Sequence, residues 1–500
     1  MEELLKLISN FANKYNRKIF LVGGFLRDLL LSRKTKDFDL VPEGNAKKFA
    51  RNFASEAGGS FVLLDEKNRI YRVVKQKIST GKDKGIFNLD FSQMRGKKIE
   101  EDLLLRDFTI DAMAVRLDWI EGNLAILRRP KLLSRVLVDP YGGMADLKKK
   151  VIRKTSPKIF DDDPLRLLRG YRLAATLEFA VDKDTENEIK EKVDLIERTA
   201  RERIRDELFK ILSTPKSYQC IRRLHKVGLL SRIVPEIEMM KEKPENYYHR
   251  EGLWGHSLET LKSLEEILSN SVNLFPGMSR KIMVHLGEKI FGEVERKALL
   301  KWAAIFHDIG KPKTIRREEG RVRFFGHEEA GTSLVIEIME RLKFSNKAIK
   351  IVDRTIKNHM RPGNLSEVPQ LTDRAIHHFF RDLSEEGVDT LILSLADRYS
   401  YRKILPDRDR DLGSEISQKS IKKHEKTIRK MLRKYYYHKE RILPKPLIRG
   451  DEIMESFHLP QGPLIGELLR KVGEAQAGGK LKNKGEAFQF LKKILEKKNL

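Results

Sequence analysis

The sequence predicts an α/β head built on a small mixed sheet, followed by a chain that is mainly α-helical. Between residues 18 and about 140, short apolar segments alternate with turn residues and a few helical stretches. At Asp139-Pro140-Tyr141-Gly142-Gly143 the texture changes, and from Leu147 onward long helical periodicities dominate. Five hundred residues exceed what a single core organises, so about two to four domains are expected.

Met1 to Tyr15 has an amphipathic helical pattern with acidic residues near its start, which does not read as a signal peptide. Ile19 to Val22 is an apolar run that reads as a strand. Gly23 and Gly24 then let backbone approach a ligand, and Phe25 to Leu31 reads as a helix whose first N–H groups face that ligand, a place for phosphates. Lys36-Asp37-Phe38-Asp39-Leu40 follows, and the strand period of two puts the carboxylates of Asp37 and Asp39 on one face. Mg²⁺ is usually held by one or two carboxylates together with substrate phosphates. A glycine turn beside Asp-x-Asp therefore suggests two-metal nucleotidyl transfer. Phe61–Leu64, Ile70–Val74, Ile86–Phe91 and Ala112–Leu117 supply further strands. Asp90, near the end of one of them, reads either as a third carboxylate or base for an attacking hydroxyl, or as an exposed edge acid.

Domain boundaries are expected near residues 150, 240 and 410. They delimit a catalytic head (1–150), a helical neck with basic faces (151–240), a helical block carrying His and Asp residues (241–410) and a basic helical tail (411–500). The polar stretch from Pro235 to Arg250 reads as a linker. In the last unit, Leu459-Pro460-Gln461-Gly462-Pro463-Leu464-Ile465-Gly466 joins two short helical patterns, as a phosphate-binding turn or as a plain tight turn.

The net charge of +27, from 100 Lys and Arg against 73 Asp and Glu, favours a polyanionic partner, most commonly nucleic acid. A charge-rich surface of a heat-adapted protein is the other reading of the same composition. The single cysteine, Cys220, excludes an internal disulfide framework and a thiolate metal cluster. It reads as a small buried apolar residue in a reducing cytoplasm. No segment approaches the length of a membrane span, so no membrane partner and a cytoplasmic location are expected.

The opening motif is joined, in order, by Glu101-Asp102-Leu103, Arg106-Asp107-Phe108-Thr109-Ile110-Asp111-Ala112, Asp139 to Gly143, Asp162-Asp163-Pro164-Leu165-Arg166-Leu167-Leu168-Arg169-Gly170-Tyr171-Arg172, and Glu202-Arg203-Ile204-Arg205-Asp206-Glu207-Leu208. Over residues 18 to about 235 this set resembles the class II tRNA nucleotidyltransferase and bacterial poly(A) polymerase family. The resemblance implies that Asp37 and Asp39 hold Mg²⁺ while an RNA 3′-hydroxyl attacks the α-phosphate of CTP or ATP. It implies that Gly23, Gly24, Arg27 and Asp28 meet the nucleotide, with Arg106, Asp107, Arg169 and Arg172 around its phosphates, and that the tRNA 3′ end and acceptor stem are the partner. It further implies that Asp163 and Arg166 act as a protein template for the base. Cytosine and adenine each offer an amino donor beside a ring-nitrogen acceptor, which suits a carboxylate and a guanidinium; uracil and guanine present the reverse. The chain departs from the family pattern at Asp162, where Glu is usual, at Leu105, where a second Arg is usual, and at Asp111, where Asn is usual. Leu105 is expected to pack in the core. Only Ser92 to Glu100 separates the last strand from Glu101, and within this family the enzymes that add only the two cytidines look like versions lacking a longer flexible loop in roughly this region, a loop that helps switch the pocket to ATP. CC-only addition and full CCA addition both stay open, with A-only addition behind them; poly(A) synthesis is an alternative of the same class.

His256, His307-Asp308 and Asp397 reproduce the ligand order of the HD phosphohydrolase superfamily, with His327 and His359 between them. Imidazoles and carboxylates in this ratio suit a divalent transition metal. This resemblance implies a phosphohydrolase that trims damaged 3′ ends or cyclic phosphates, or a metal retained for folding alone. A chain whose main activity is hydrolysis, its head only binding RNA, is the alternative from a different class. Oligomeric state is not legible.

Overall fold

The computed structural model describes residues 2–33, 35, 37–76, 86–241, 252–318, 321–403 and 417–496; Lys36, most of the expected linker and the start of the basic stretch beyond Asp411 lie outside them. The head runs α1 (Glu2–Lys14), β1 (Ile19–Val22), α2 (Gly23–Leu30), β2 (Asp37–Pro42), α3 (Ala46–Ala57), β3 (Ser60–Asp65), β4 (Ile70–Gln76), β5 (Ile86–Ser92), α4 (Ile99–Leu104) and β6 (Ala114–Arg116). The strands form one sheet in the order β3-β4-β5-β2-β1-β6, with every neighbouring pair antiparallel except β2 and β5, which run parallel. The expected alternation holds in β2. Phe38 and Leu40 are fully buried, while Asp37 and Asp39 occupy the opposite face.

Aromatic residues fill the core beneath that sheet. Phe25 of α2 stacks on Phe38 with 4.6 Å between ring centroids, and Phe11 of α1 meets Phe49 and Phe53 of α3 edge-on. Each fully buried ring contributes about 2–3 kcal/mol. α2 begins at Gly23, two residues before its apolar periodicity indicates, because glycine has no side chain to display the pattern.

The first compact unit comprises Met1–Ala200 with Leu224–Ile233. The segment Asp139 to Gly143 works as a helix start, its Asp139 carboxylate accepting the N–H groups of Gly143 (2.7 Å) and Met144 (2.9 Å) at the head of the helix Gly143–Lys149. Beyond it, Val151–Ile152 pairs in parallel with Ala180–Val181, and the helix Arg166–Leu177 lies between them in sequence.

The second unit, Arg201–Arg223 with Val234–Leu500, is mainly helical. Gly252–Ser269 packs on Glu386–Ser400 and on Arg296–Phe306. Two short hairpins interrupt the helical reading of this region, Lys289–Phe291 with Val294–Glu295 and Arg316–Glu318 with Arg321–Arg323. Strands of two or three residues are too short to show an alternation. The basic stretch near residue 430 is the helix Gln418–Tyr437, which buries Ile421, Ile428, Met431 and Leu432. The helices Gly450–Phe457 and Pro463–Ala477 flank the Leu459–Gly462 turn and share a core of Ile453, Ile465, Leu468 and Val472. Cys220 is buried, and burial pushes its thiol up to about 12. No helix among the described residues is long and apolar enough to cross a membrane.

A Cβ added at Gly143 would lie 2.2 Å from the carbonyl oxygen of Thr109, a backbone atom that cannot swing aside. Gly143→Ala is therefore expected to lower unfolding stability by about 1–3 kcal/mol in urea titration; an unchanged midpoint would contradict the close approach.

Candidate active site and candidate metal centre

The parallel register of β2 with β5 places Asp37 opposite Asn88 and Asp39 opposite Asp90. β4 continues the row, with Arg72 opposite Asp90. Arg72 donates to both oxygens of Asp90 at 2.7 and 2.8 Å, and Asn88 Nδ2 donates to Asp37 Oδ1 at 3.1 Å. Asp90 thus lies on an interior strand of the sheet rather than at an exposed edge. Asp37 is exposed and Asp39 partly buried. Burial raises the Asp39 carboxyl, Arg106 opposes that, and Asp90 and Asp111 add to it, leaving Asp39 pushed up to about 6.

Gly23 makes this crowding possible. Its φ is +66°, and a Cβ there would sit 3.1 Å from both Asp39 Oδ2 and Arg106 Nη1. The first turn of α2 is partly committed already, since the N–H of Phe25 donates to the Asp39 carboxylate. Arg106 is held from behind by the fully buried Asp102, whose Oδ2 accepts from Nε and Nη2 at 3.1 and 3.0 Å. Arg27 lies against Gly24 and donates to Asp28 (2.9 Å) and to Asp111 (2.7 Å), so both Asp28 and the unusual Asp111 serve to fix that guanidinium.

The helix Arg166–Leu177 carries the three expected arginines. Arg169 Nε lies 3.0 Å from the buried carboxylate of Asp107. Burial raises that carboxyl, but Arg169, Arg166, the N–H of Phe108 and Arg172 together hold it below its ordinary value. Arg166 donates to the carbonyls of Ile159 (3.2 Å) and Leu105 (3.1 Å). Leu105 is not in the core. Its side chain is 39% exposed, and its carbonyl accepts from Arg95 as well as Arg166, because a residue that ends α4 has a free carbonyl to offer. Asp163 is half-buried in extended backbone just before that helix and accepts the N–H of Leu165 at 3.3 Å. One short segment, Leu105 to Asp107, therefore touches both groups: Arg106 faces the acid row, and its two neighbours anchor Arg166 and Arg169.

A second cluster lies within the other unit. His256 Nε2 is 3.1 Å from Asp397 Oδ1, 3.4 Å from Asp308 Oδ2 and 3.3 Å from His307 Nε2. His327 Nε2 and His359 Nε2 approach Asp308 Oδ1 at 3.5 and 3.7 Å. The outer nitrogens are all occupied. Nδ1 of His307, His327 and His359 meets the carbonyl of Ala304 (3.0 Å), Phe324 (2.8 Å) and Ile356 (2.7 Å), and Nδ1 of His256 meets Ser400 Oγ (3.2 Å). Such bonds turn each Nε2 inward, the orientation a metal needs. Buried Asp308 Oδ1 and His327 Nε2 have no hydrogen-bond partner, which a cation would supply. The donor set fits a transition metal. Asp308 and Asp397 push His307 up to about 10 against its burial, whereas burial and His307 hold His359 down to about 3.

Sequence reading missed Arg72, Asn88, the anchoring role of Asp102, and Ser400. The first two are visible only once strand register is known. Asp102 and Ser400 carry a local signal, being four residues before Arg106 and three after Asp397 on or beside a helix.

Models of known families match three stretches: a poly A polymerase head domain over residues 19–153, a probable RNA and SrmB-binding site of polymerase A over 178–240, and an HD domain over 253–402. The chain is 30% identical to an A-adding tRNA nucleotidyltransferase of Deinococcus radiodurans, covering 95% of each chain. It is also 30% identical to a CC-adding tRNA nucleotidyltransferase of Thermus thermophilus, covering 94% of this chain and 92% of that one. Its fold is similar to that of a Thermotoga maritima CCA-adding enzyme solved with tRNA, with a TM-score of 0.60 at 22% identity over 98% of this chain and 95% of the other.

Titrating the purified chain with Co²⁺ is expected to give visible bands of nitrogen- and oxygen-ligated cobalt. His307→Ala should weaken that binding by about 100-fold or more; unchanged cobalt spectra in the variant would remove the centre.

Proposed function

The chain belongs to the class II tRNA nucleotidyltransferase and bacterial poly(A) polymerase family, and we propose that it transfers CMP from CTP to the 3′ end of tRNA and stops after two additions. The observation that carries the restriction is the link from β5 to α4. Gln93 is bonded to Gly44 and Ala46, the N–H and Nε of Arg95 both donate to Asp102, and the N–H of Lys97 donates to Glu101. These bonds hold a short link in roughly the region where the family's CC-adding members look like versions lacking a longer flexible loop. The relatives do not choose the nucleotide, since an A-adding and a CC-adding enzyme are equally identical to this chain.

In the transfer, the tRNA 3′ oxygen bonds to the α-phosphorus of the nucleotide, the bond to the pyrophosphate oxygen breaks, and the hydroxyl proton is lost to solvent. Asp37 and Asp39 would hold Mg²⁺, which supplies charge neutralisation at the phosphates and acidifies the attacking hydroxyl. Asp90 completes the acid row and holds Arg72 beside it. Arg106, fixed by Asp102, and Arg27, fixed by Asp28 and Asp111, neutralise the triphosphate without needing to reorganise. Asp163 accepts from the amino group of cytosine and Arg166 donates to its ring nitrogen. The excess of basic residues grips the tRNA backbone, so affinity falls steeply with salt.

At the second cluster, we propose hydrolysis of a phosphoester at an RNA end. Water bonds to phosphorus, the bond to one ribose oxygen breaks, and that oxygen takes up a proton. A divalent transition metal on His256, His307, Asp308 and Asp397 would supply Lewis acidity there.

With Mg²⁺ and tRNA lacking its 3′ end, CTP alone is expected to extend the product by two residues, and ATP alone or together with CTP to add nothing more. A third residue with both nucleotides would show full CCA addition. A single A added only to tRNA already ending in CC would show A-addition, and long ATP-dependent tails poly(A) synthesis. Asp39→Asn should lower CMP transfer by about 100-fold or more. Asp163→Ala should shrink the preference for CTP over UTP by about 1–3 kcal/mol, read from the ratio of kcat/KM values.

A further inference from the structure

We infer that the hairpin formed by Arg316–Glu318 and Arg321–Arg323, together with Phe325, is a platform for single-stranded RNA that presents an RNA end to the His/Asp cluster. The inference rests on the phosphohydrolase reading of that cluster and adds where the RNA end is held and that it is single-stranded.

The hairpin is built against its own stability. Its register sets Arg316 directly opposite Arg323, and like charges facing each other across an antiparallel pair disfavour the pairing. Glu318 reaches Arg323 only at 4.0 Å. From Lys311 to Phe325 the sequence carries Lys311, Lys313, Arg316, Arg317, Arg321 and Arg323 against Glu318 and Glu319. A phosphodiester chain laid along the Arg316–Arg323 pair turns the repulsion into attraction.

Charge alone would suit any anion, and the aromatic residue narrows the choice. Phe325 is 57% exposed, with the Arg323 guanidinium 5.6 Å from its ring centroid. A cationic track beside an exposed ring is the combination that binds unpaired bases, which stack on the ring while their phosphates meet the cations. Double-stranded RNA keeps its bases stacked inside the helix and has no use for that ring.

The hairpin is also joined to the cluster at both ends. Lys311, at its entry, donates to Asp308 Oδ2 at 2.6 Å and lies 5.5 Å from the ring of Phe324. At its exit, the carbonyl of Phe324 fixes His327. Phe325 is two residues from His327, which bounds their Cα separation at about 7.6 Å. The exposed ring is therefore carried on the same short segment that fixes one imidazole of the cluster.

The full-length protein loaded with Co²⁺ is assayed on bis(p-nitrophenyl) phosphate, which carries no nucleobase, and on a short single-stranded oligoribonucleotide ending in a 2′,3′-cyclic phosphate. Phe325→Ala and the pair Arg316→Ala with Arg323→Ala are expected to raise KM for the oligonucleotide about tenfold, with kcat and the rate on the small ester unchanged. Equal losses on both probes, or no change on either, would overturn the platform. Independently of turnover, a 4-thiouridine form of the oligonucleotide should photo-crosslink to the peptide containing Phe325, and crosslinks confined to other regions would also overturn it. If the unsubstituted chain crosslinks there but hydrolyses neither probe, the phosphohydrolase reading fails and the platform stands.

Discussion

Two carboxylates set abreast on adjacent parallel strands repel each other, and the head is organised around that repulsion. At the spacing of neighbouring strands the interaction costs about 3 kcal/mol if the effective dielectric is near 20. Asp39 and Asp90 stand in this relation because β2 and β5 form the one parallel pair in the sheet. The repulsion is answered from three sides: Arg72 from the next strand, Arg106 through the gap that Gly23 leaves, and the N–H of Phe25 from the start of α2. None of the three fully discharges Asp39. Burial and neighbouring acids raise Asp39, and a cation beside it would lower it again, so the crowding that penalises the free carboxylate is also what would favour a metal there.

Compensation continues outward in alternating shells. Asp102 fixes Arg106, Asp111 and Asp28 fix Arg27, and Asp107 fixes Arg169. Arg27, Arg106 and Arg169 therefore each have a carboxylate behind them. A buried carboxylate that lost its arginine would be left uncompensated, which is why these pairs act as rigid supports rather than as exchangeable surface bridges. The supports also explain the departures from the family pattern. Asp111 in place of Asn accepts from Arg27 at 2.7 Å, and Leu105 in place of Arg keeps a role through its carbonyl, which no side-chain pattern could reveal.

The legibility of the chain followed this division. Local periodicity found β1 to β6, the inward Phe38 and Leu40, and the shared face of Asp37 and Asp39, because alternation within a strand is written in adjacent residues. It could not find Arg72 or Asn88, whose importance arises from which strand lies next to which. Asp90 stayed ambiguous for the same reason, an edge acid or a third carboxylate until its register with Asp39 was known. In the second unit, the histidines and acids were legible from their types and order. The inward turn of each Nε2 was not, since it depends on carbonyls of Ala304, Phe324 and Ile356 that any residue could supply. The two small hairpins escaped because three residues are too few to establish a period.

The two candidate metal positions differ in a way that follows from their donors. In the head, the oxygens are carboxylate only, Asp37 is exposed, and arginines stand close enough to share the charge. Such a position suits a hard, hydrated cation that keeps waters and completes its shell with substrate phosphates. In the second cluster, imidazole nitrogens are held inward in a buried chamber with Asp308 and Asp397 between them, so the protein itself supplies most of the ligands. Dehydration is then offset by nitrogen donors, which favours a borderline transition ion and disfavours Mg²⁺. The two donor sets therefore suit different ions. The selection lies in whether the substrate or the protein completes the coordination shell, and a head that held its cation as completely as the histidines do would leave no ligand position for the nucleotide.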